Sequence, residues 1–168
     1  MPAIPKIWIF ADSHWHQEGE RICRPDNHTQ LQFANIKRTV GPDDLVIHVG
    51  DVTWNNKLLK QDLDALPGRW VLVRGNHDQE SLTWYMRNGF IFACESFVFR
   101  KVLFTHHPAN ELSGLALLNV HGHLHGNGHR SEAYTPETWH RLLAIENTNY
   151  TPVSFDKFVG QLSPIDLV

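Results

Sequence analysis

The run WVLVRGNHD, from Trp70 to Asp78, decides how the rest of the chain is read. Four apolar residues give way at once to Arg74, a glycine, and the polar trio Asn76, His77 and Asp78. A short apolar run with β-branched residues reads as a strand buried on both faces. Residues just beyond the carboxyl end of such a strand sit where open α/β sheets build their sites. The question is whether other strands end in the same way.

They do. Ile7–Ala11 runs into ADSH, with Asp12 and His14, and Leu45–Val49 runs into Asp51. A strand pair over Phe97–Thr105, turning near Arg100, ends in His106 and His107. Leu115–Val120 leads into HGHLH, with His121, His123 and His125. A further strand is expected over Arg141–Glu146. Helical spacing marks His28–Thr39, with Leu31, Phe33, Ile36 and Val40 on one side. Lys57–Leu66 is helical until Pro67 and Gly68 stop it, and Glu80–Asn88 until Gly89 does. A last short helix is expected within Val153–Leu162, with Ser154 near its start. Strands alternating with helices predict an α/β fold with parallel strands. No repeat or linker divides the 168 residues, so 1–168 is expected to be one domain.

The strand ends carry a coherent chemistry. Asp12, His14, Asp51, Asn76, His106, His123 and His125 offer carboxylate, imidazole and amide donors suited to manganese, iron or zinc. Asp12 and His14 are two apart, as are His123 and His125, and in extended backbone such pairs point to one side. Gly50, Gly75 and Gly122 each precede a ligand, where a sharp exit from the strand and close backbone approach are needed. Seven donors exceed the needs of one ion and fit two that share a carboxylate, with Asp51 as the bridge. Two ions roughly 3.5–4 Å apart clamp the attacking and leaving oxygens of a phosphoryl displacement, and a hydroxide held between them is the expected nucleophile.

The blocks DSH (Asp12–His14), GDV (Gly50–Val52), GNHD (Gly75–Asp78), THHP (Thr105–Pro108) and GHLH (Gly122–His125) resemble, in order, those of the calcineurin-like metallophosphoesterases. Arg24-Pro25, PDDLVIHVGDV and NTNYTPVSFDKF resemble a small bacterial and phage branch of that family. The resemblance implies a mixed α/β fold, a two-sheet β-sandwich with flanking helices in four αββα layers, in place of a single parallel sheet. It implies a first metal on Asp12, His14, Asp51 and His125, and a second on Asp51, Asn76, His106 and His123. Manganese is expected first, with iron, zinc or mixtures also suited. His77 would not ligate but would stabilise the transition state or protonate the leaving alkoxide, with Asp78 orienting it. Arg24 would clamp phosphate. His107 would line the pocket, and His121 would support a ligand or touch substrate. Trp15 and Trp54 would wall the pocket. His28, His48 and His140 read as structural, and His16 and His129 receive no role.

The net charge of −3 leaves no basic footprint, so duplex nucleic acid and anionic membranes are not expected partners. Cys23 and Cys94, with no C-x-x-C, read as free thiols of a reducing compartment. The opening MPAIPKIWIF lacks the parts of a signal peptide and no apolar run reaches bilayer length, so a cytoplasmic protein is expected. The leading reading is a phosphoesterase acting on a small phosphoester or nucleotide. Diesters are favoured because 168 residues leave little room for an enclosing cap. One alternative is a catalytically silent scaffold of this fold that binds a protein partner, against which the retained His77 argues. Another is a metal store in which Asn127–Arg130, rather than Asp51, controls binding.

Overall fold

A computed structural model of the chain describes residues 4–18, 24–112, 114–126 and 138–160. Strands β1 (Ile7–Phe10), β2 (Leu45–His48), β3 (Arg69–Val73) and β4 (Phe90–Cys94) pair in parallel in one sheet, ordered β4-β3-β2-β1. Its far edge is completed by β9 (Val153–Ser154), antiparallel to β1. The second sheet is β5 (Ser96–Phe99), β6 (Val102–Thr105), β7 (Leu118–His121) and β8 (His140–Leu142), in that order. There β5 and β6 form an antiparallel hairpin, and β6, β7 and β8 run parallel. Its turn is made by Arg100 and Lys101, both left-handed at φ 45° and 61°, as a two-residue hairpin with right-handed strand twist requires.

The apolar runs are continuous because the first sheet is covered on both faces. Ile9, Ile47, Val49 and Val73 pack against Val102, Phe104, Leu118 and Val120 of the second sheet. Their neighbours Phe10, Val46, Leu72 and Trp70 point the other way, as strand alternation demands. They meet the helices α1 (His28–Thr39), α2 (Leu59–Asp64) and α3 (Leu82–Arg87) through Ile36, Leu59, Leu63 and Tyr85. Helix α4 (Phe155–Val159) closes one end of the space between the sheets with Phe155 and Val159. The architecture is a helix-flanked mixed sandwich, as expected. On the outer face of the second sheet the loop after β6 folds over, its Ala109 N–H bonded to Asn119 Oδ1 at 3.0 Å.

Some expectations need correction. Helix α1 buries Ile36 as expected, with Val40 just past its end and Phe33 packed on the core, but it also buries a polar stripe of His28, Thr29, Gln32 and Asn35, and Leu31 is only partly buried. Hydrogen bonds hold this stripe: Gln32 accepts from Trp15 Nε1 at 2.9 Å and donates to the Ser13 carbonyl at 2.9 Å. Strand β4 was not anticipated. It is an edge strand that leaves Ile91 and Phe92 half exposed and brings no ligand to the site. Strand β7 starts three residues later than expected, since Leu115 is 81% exposed. After β8 the chain turns into a 3-10 helix over Ile145–Thr148 instead of continuing as strand. Cys94 is a free thiol, and Cys23 lies outside the described residues. Among the described residues, no helix is long and apolar enough to cross a membrane.

Candidate metal centre

Five loops leave the two sheets at one edge and meet. Strand β1 delivers Asp12 and His14, β2 Asp51, β3 Asn76 and His77, β6 His106 and His107, and β7 His123 and His125. The first two loops prolong the β1–β2 ladder: the His14 N–H donates to the Asp51 carbonyl at 3.0 Å and the Trp15 N–H to the Val52 carbonyl at 2.9 Å. The ligand pairs are not in extended backbone. Asp12, His14, Asp51, His123 and His125 are all left-handed, with φ between 45° and 70°. That conformation is unfavourable for residues with a Cβ, and it persists where the surrounding fold over-determines it. The loops also approach too closely for side chains at the glycines between them. Gly50 has φ +85°, and a Cβ there would press on the His106 ring; one at Gly75 would strike the Asp51 carboxylate, and one at Gly122 that of Asp12.

Asp51 lies in the middle. Its Oδ2 is 3.7 Å from His14 Nε2 and 3.2 Å from His106 Nε2. His106 Nε2 also faces Asn76 Oδ1 at 3.0 Å. On the other side, His125 Nε2 is 4.0 Å from Asp12 Oδ1. The Asp12 carboxylate accepts the His123 backbone N–H at 3.0 and 3.1 Å. Ligand atoms of Asp12, His14 and His125 lie within 4.8 Å of one another, as do those of Asp12, Asp51 and His106, and those of His106, His107 and His123. Buried carboxylates among imidazoles in this number fit divalent cations.

The electrostatics of the protein alone are those of a centre short of positive charge. Burial pushes the Asp12 carboxyl up to about 6, although His106 and His125 oppose it. Burial also acts to raise Asp51, but the hydrogen bond and charge of His106 hold it well below the carboxylate range. His106 would be lowered by burial, yet its bond to Asp51 lifts it to about 9. Burial, and then the Arg24 charge, keep His14 well below the usual imidazole range.

The sequence model of the calcineurin-like phosphoesterases matches residues 5–161, a span containing all five loops. The chain belongs to the calcineurin-like phosphoesterase family. That makes it a member of a family of metal-dependent phosphoester hydrolases. It is 28% identical to an uncharacterized protein of Methanocaldococcus jannaschii, over 94% of this chain and 91% of that protein. Its fold is similar to the crystal structure of a protein of unknown function from Aquifex aeolicus, with a TM-score of 0.71 and 21% identity, over 95% of this chain and all of that one.

Around the phosphoesterase centre, several residues have roles other than those expected. Arg24 is paired inside the protein. Its side chain is 4% exposed and bonds Glu146 Oε1 at 2.8 and 2.9 Å and the Asp12 carbonyl at 2.8 Å. Asp78 does not orient the His77 ring. Its carboxylate accepts the backbone N–H groups of Gly75, Asp51 and Val52 at 2.8, 2.8 and 3.0 Å, clamping two ligand loops together. His121 is fully buried, with Nδ1 on the Gly122 carbonyl at 3.0 Å, and so cannot touch substrate. Trp15 is fully buried in the helix-side core, not on the pocket wall. Trp54 is 51% exposed, its ring 4.8 Å from that of His77. His107 is exposed and packs on His123, ring centroids 3.9 Å apart. It stands beside Asn76 and Arg74 on a cavity of about 450 Å³. His16 is tied to Asp62 at 2.7 Å, His48 to Ser13 at 2.6 Å, His28 to Gln32 at 3.1 Å and His140 to the Ala109 carbonyl at 2.9 Å. His129 lies outside the described residues.

Sequence reading missed Glu146. Its Oε1 lies 3.2 Å from His125 Nδ1. Arg24 NH2 is also near that nitrogen, at 3.0 Å, but it can only donate and has Glu146 and the Asp12 carbonyl as acceptors. The carboxylate therefore takes the Nδ1 hydrogen and leaves Nε2 open for a cation. Burial acts to raise Glu146, but the His125 bond and the Arg24 charge hold it down at about 2. The available signal was a carboxylate directly after the apolar run LLAI, as at the other strand ends.

Proposed function

We propose that the protein is a two-cation phosphodiesterase. The observation that carries the reading is the position of Asp51, whose Oδ2 faces His14 on one side at 3.7 Å and His106 on the other at 3.2 Å. A carboxylate flanked in this way suits a bridge. Asp12, His14 and His125 would hold one cation with it, and Asn76, His106 and His123 the other. Bound divalent ions, manganese first and iron or zinc equally suited by ligand type, supply Lewis acidity at the phosphoryl oxygens and a water acidic enough to furnish hydroxide at neutral pH.

The remaining work falls to the chain. The backbone N–H of His77 donates to Asp51 Oδ1 at 2.9 Å, which anchors the residue. Its ring stays half exposed, 5.5 Å from that of His14. From there a ring N–H can stabilise charge on the phosphoryl group or protonate the leaving alkoxide. The cleft is open: Asn76 and His107 are exposed at its mouth. An open mouth leaves room for the second ester arm of a diester, in a small phosphoester or nucleotide.

The test is hydrolysis of an aryl phosphodiester with added Mn²⁺, beside the matched monoester and Asp51→Asn. Diester turnover that exceeds monoester turnover and is lost in the variant supports the reading. A protein that binds cations but hydrolyses neither ester overturns it and points to a scaffold that binds a protein partner.

A further inference from the structure

We propose that Trp54 and a cation compete for His14, so that filling the first cation position releases the indole into the cleft. A neutral imidazole has one N–H and one lone pair, and an indole N–H can only donate. Trp54 Nε1 donates to His14 Nδ1 at 2.8 Å. That nitrogen therefore presents its lone pair, and the ring hydrogen sits on Nε2, the nitrogen that faces Asp51 Oδ2 at 3.7 Å. In this tautomer His14 has no lone pair left for a cation. A cation on Nε2 drives the hydrogen to Nδ1, where it meets the indole N–H head on. A cation on Nδ1 takes the lone pair that the indole uses. Both routes break the Trp54 bond, so the conclusion is the same whichever nitrogen ligates.

His106 and His125 are set the opposite way. Behind His106 Nδ1 stands the Val49 carbonyl at 2.9 Å, and behind His125 Nδ1 the Glu146 carboxylate at 3.2 Å. Acceptors there fix a hydrogen on Nδ1, so Nε2 is the nitrogen left to ligate once a cation displaces any proton it carries. Arg24 NH2 also lies 3.0 Å from His125 Nδ1, but there Glu146 stands ready to accept, whereas the partner of His14 Nδ1 is a donor. Trp54 is also free to move. Its side chain is 51% exposed, and its backbone is held separately, by the Trp15 carbonyl at 2.9 Å. The two cation positions should then fill unequally, the one on His106 first and the one on His14 second.

The proposal rests on the two-cation reading in taking His14 as a ligand. The test is a Zn²⁺ titration of metal-stripped protein followed by ¹H–¹⁵N NMR, since zinc is diamagnetic. The six tryptophans give six indole signals, and Trp54→Phe identifies the one that belongs to Trp54. That signal is expected to shift as the weaker position fills. Trp54→Phe should bind the second cation about two- to tenfold more tightly, the worth of one net hydrogen bond removed from the competition. Two zinc ions bound with the Trp54 signal unmoved and the Trp54→Phe affinity unchanged would overturn the proposal and leave the two-cation reading standing. Two zinc ions bound with unchanged affinity by His14→Ala would remove His14 from the ligand set and overturn the proposal, whereas wild-type protein that takes up fewer than two would overturn the two-cation reading.

Discussion

At the scale of single residues, the ligands and their supports obey different logic. The proposed ligands are polar residues just beyond strand ends, and His106 and His125 are held by what stands behind them. Glu146 is such a support, accepting from His125 while Arg24 neutralises it. Glu146→Gln keeps the shape but weakens the acceptor, so cation affinity should fall by about ten- to a hundredfold in a zinc titration. In the proposed mechanism His77 belongs to the chemistry rather than to the ligand set, since it is its backbone N–H that reaches Asp51, at 2.9 Å. His77→Ala should therefore keep its cations by elemental analysis yet lose about 10²–10⁴-fold in turnover, most for poor leaving groups. Loss of cations in that variant would make His77 a ligand instead. The candidate donors were legible in sequence because each follows an apolar run within a few residues. Arg24 was misread because a buried arginine and a phosphate-binding one look alike until its acceptors are known.

At the scale of elements, buried polar groups fix how strands and loops meet. Asp78 ties the loop after β3 to the loop after β2 through three backbone N–H groups. At the opposite end of the sheet, Asp44 does the same for β1 and β2. Its carboxylate accepts the Lys6 N–H at 2.7 Å, and the Trp8 indole and Gly41 N–H at 2.8 Å each. Burial acts to raise the Asp44 carboxyl, but these donors outweigh it and bring it below its ordinary value of 3.8. A carboxyl lowered in the folded state stabilises fully above its unfolded value and loses that stabilisation as pH falls through the folded one. Melting curves should therefore show wild type losing stability below about pH 4, with Asp44→Asn less stable at neutral pH and flatter in acid. An equally steep acid limb in the variant would assign the loss to other carboxyls. Helix α1 shows what periodicity misses: apolar spacing located the helix and its Ile36 anchor, while Gln32 and its bonds to Trp15 and Ser13 add a buried polar stripe.

At the scale of the whole molecule, the centre exists only because two sheets end at the same edge. Three loops come from the first sheet and two from the second, with the packed core of Ile9, Ile47, Phe104 and Val120 between them. An unfolded chain scatters these side chains, so cations held at the proposed centre would bind the folded state and stabilise it. At a free cation concentration of a hundred times Kd, one such site adds about 2.7 kcal/mol. Mn²⁺ or Zn²⁺ should thus raise the melting temperature of the wild type by several degrees and that of Asp51→Asn far less. An equal rise in both would mean that the cations bind elsewhere. Strand β4 shows the limit of the strand-end argument: it carries no ligand, so nothing in that pattern pointed to it.

The amino-acid sequence by itself determined where most strands and helices lie and which side chains could bind metal. Both follow from local properties: the alternation of apolar residues, the glycines that stop a run, and the donor atoms next to them. Only the tertiary structure decided that α1 buries a polar stripe, that Arg24 pairs with Glu146, that Asp78 clamps loops rather than His77, and that an indole stands behind His14. Each of these depends on hydrogen-bond partners far apart in the chain, as Arg24 and Glu146 are, and a donor's partner is chosen by proximity in space. The left-handed turns at Asp12 and Asp51 have the same origin, because it is packing against the opposing loops that holds them there.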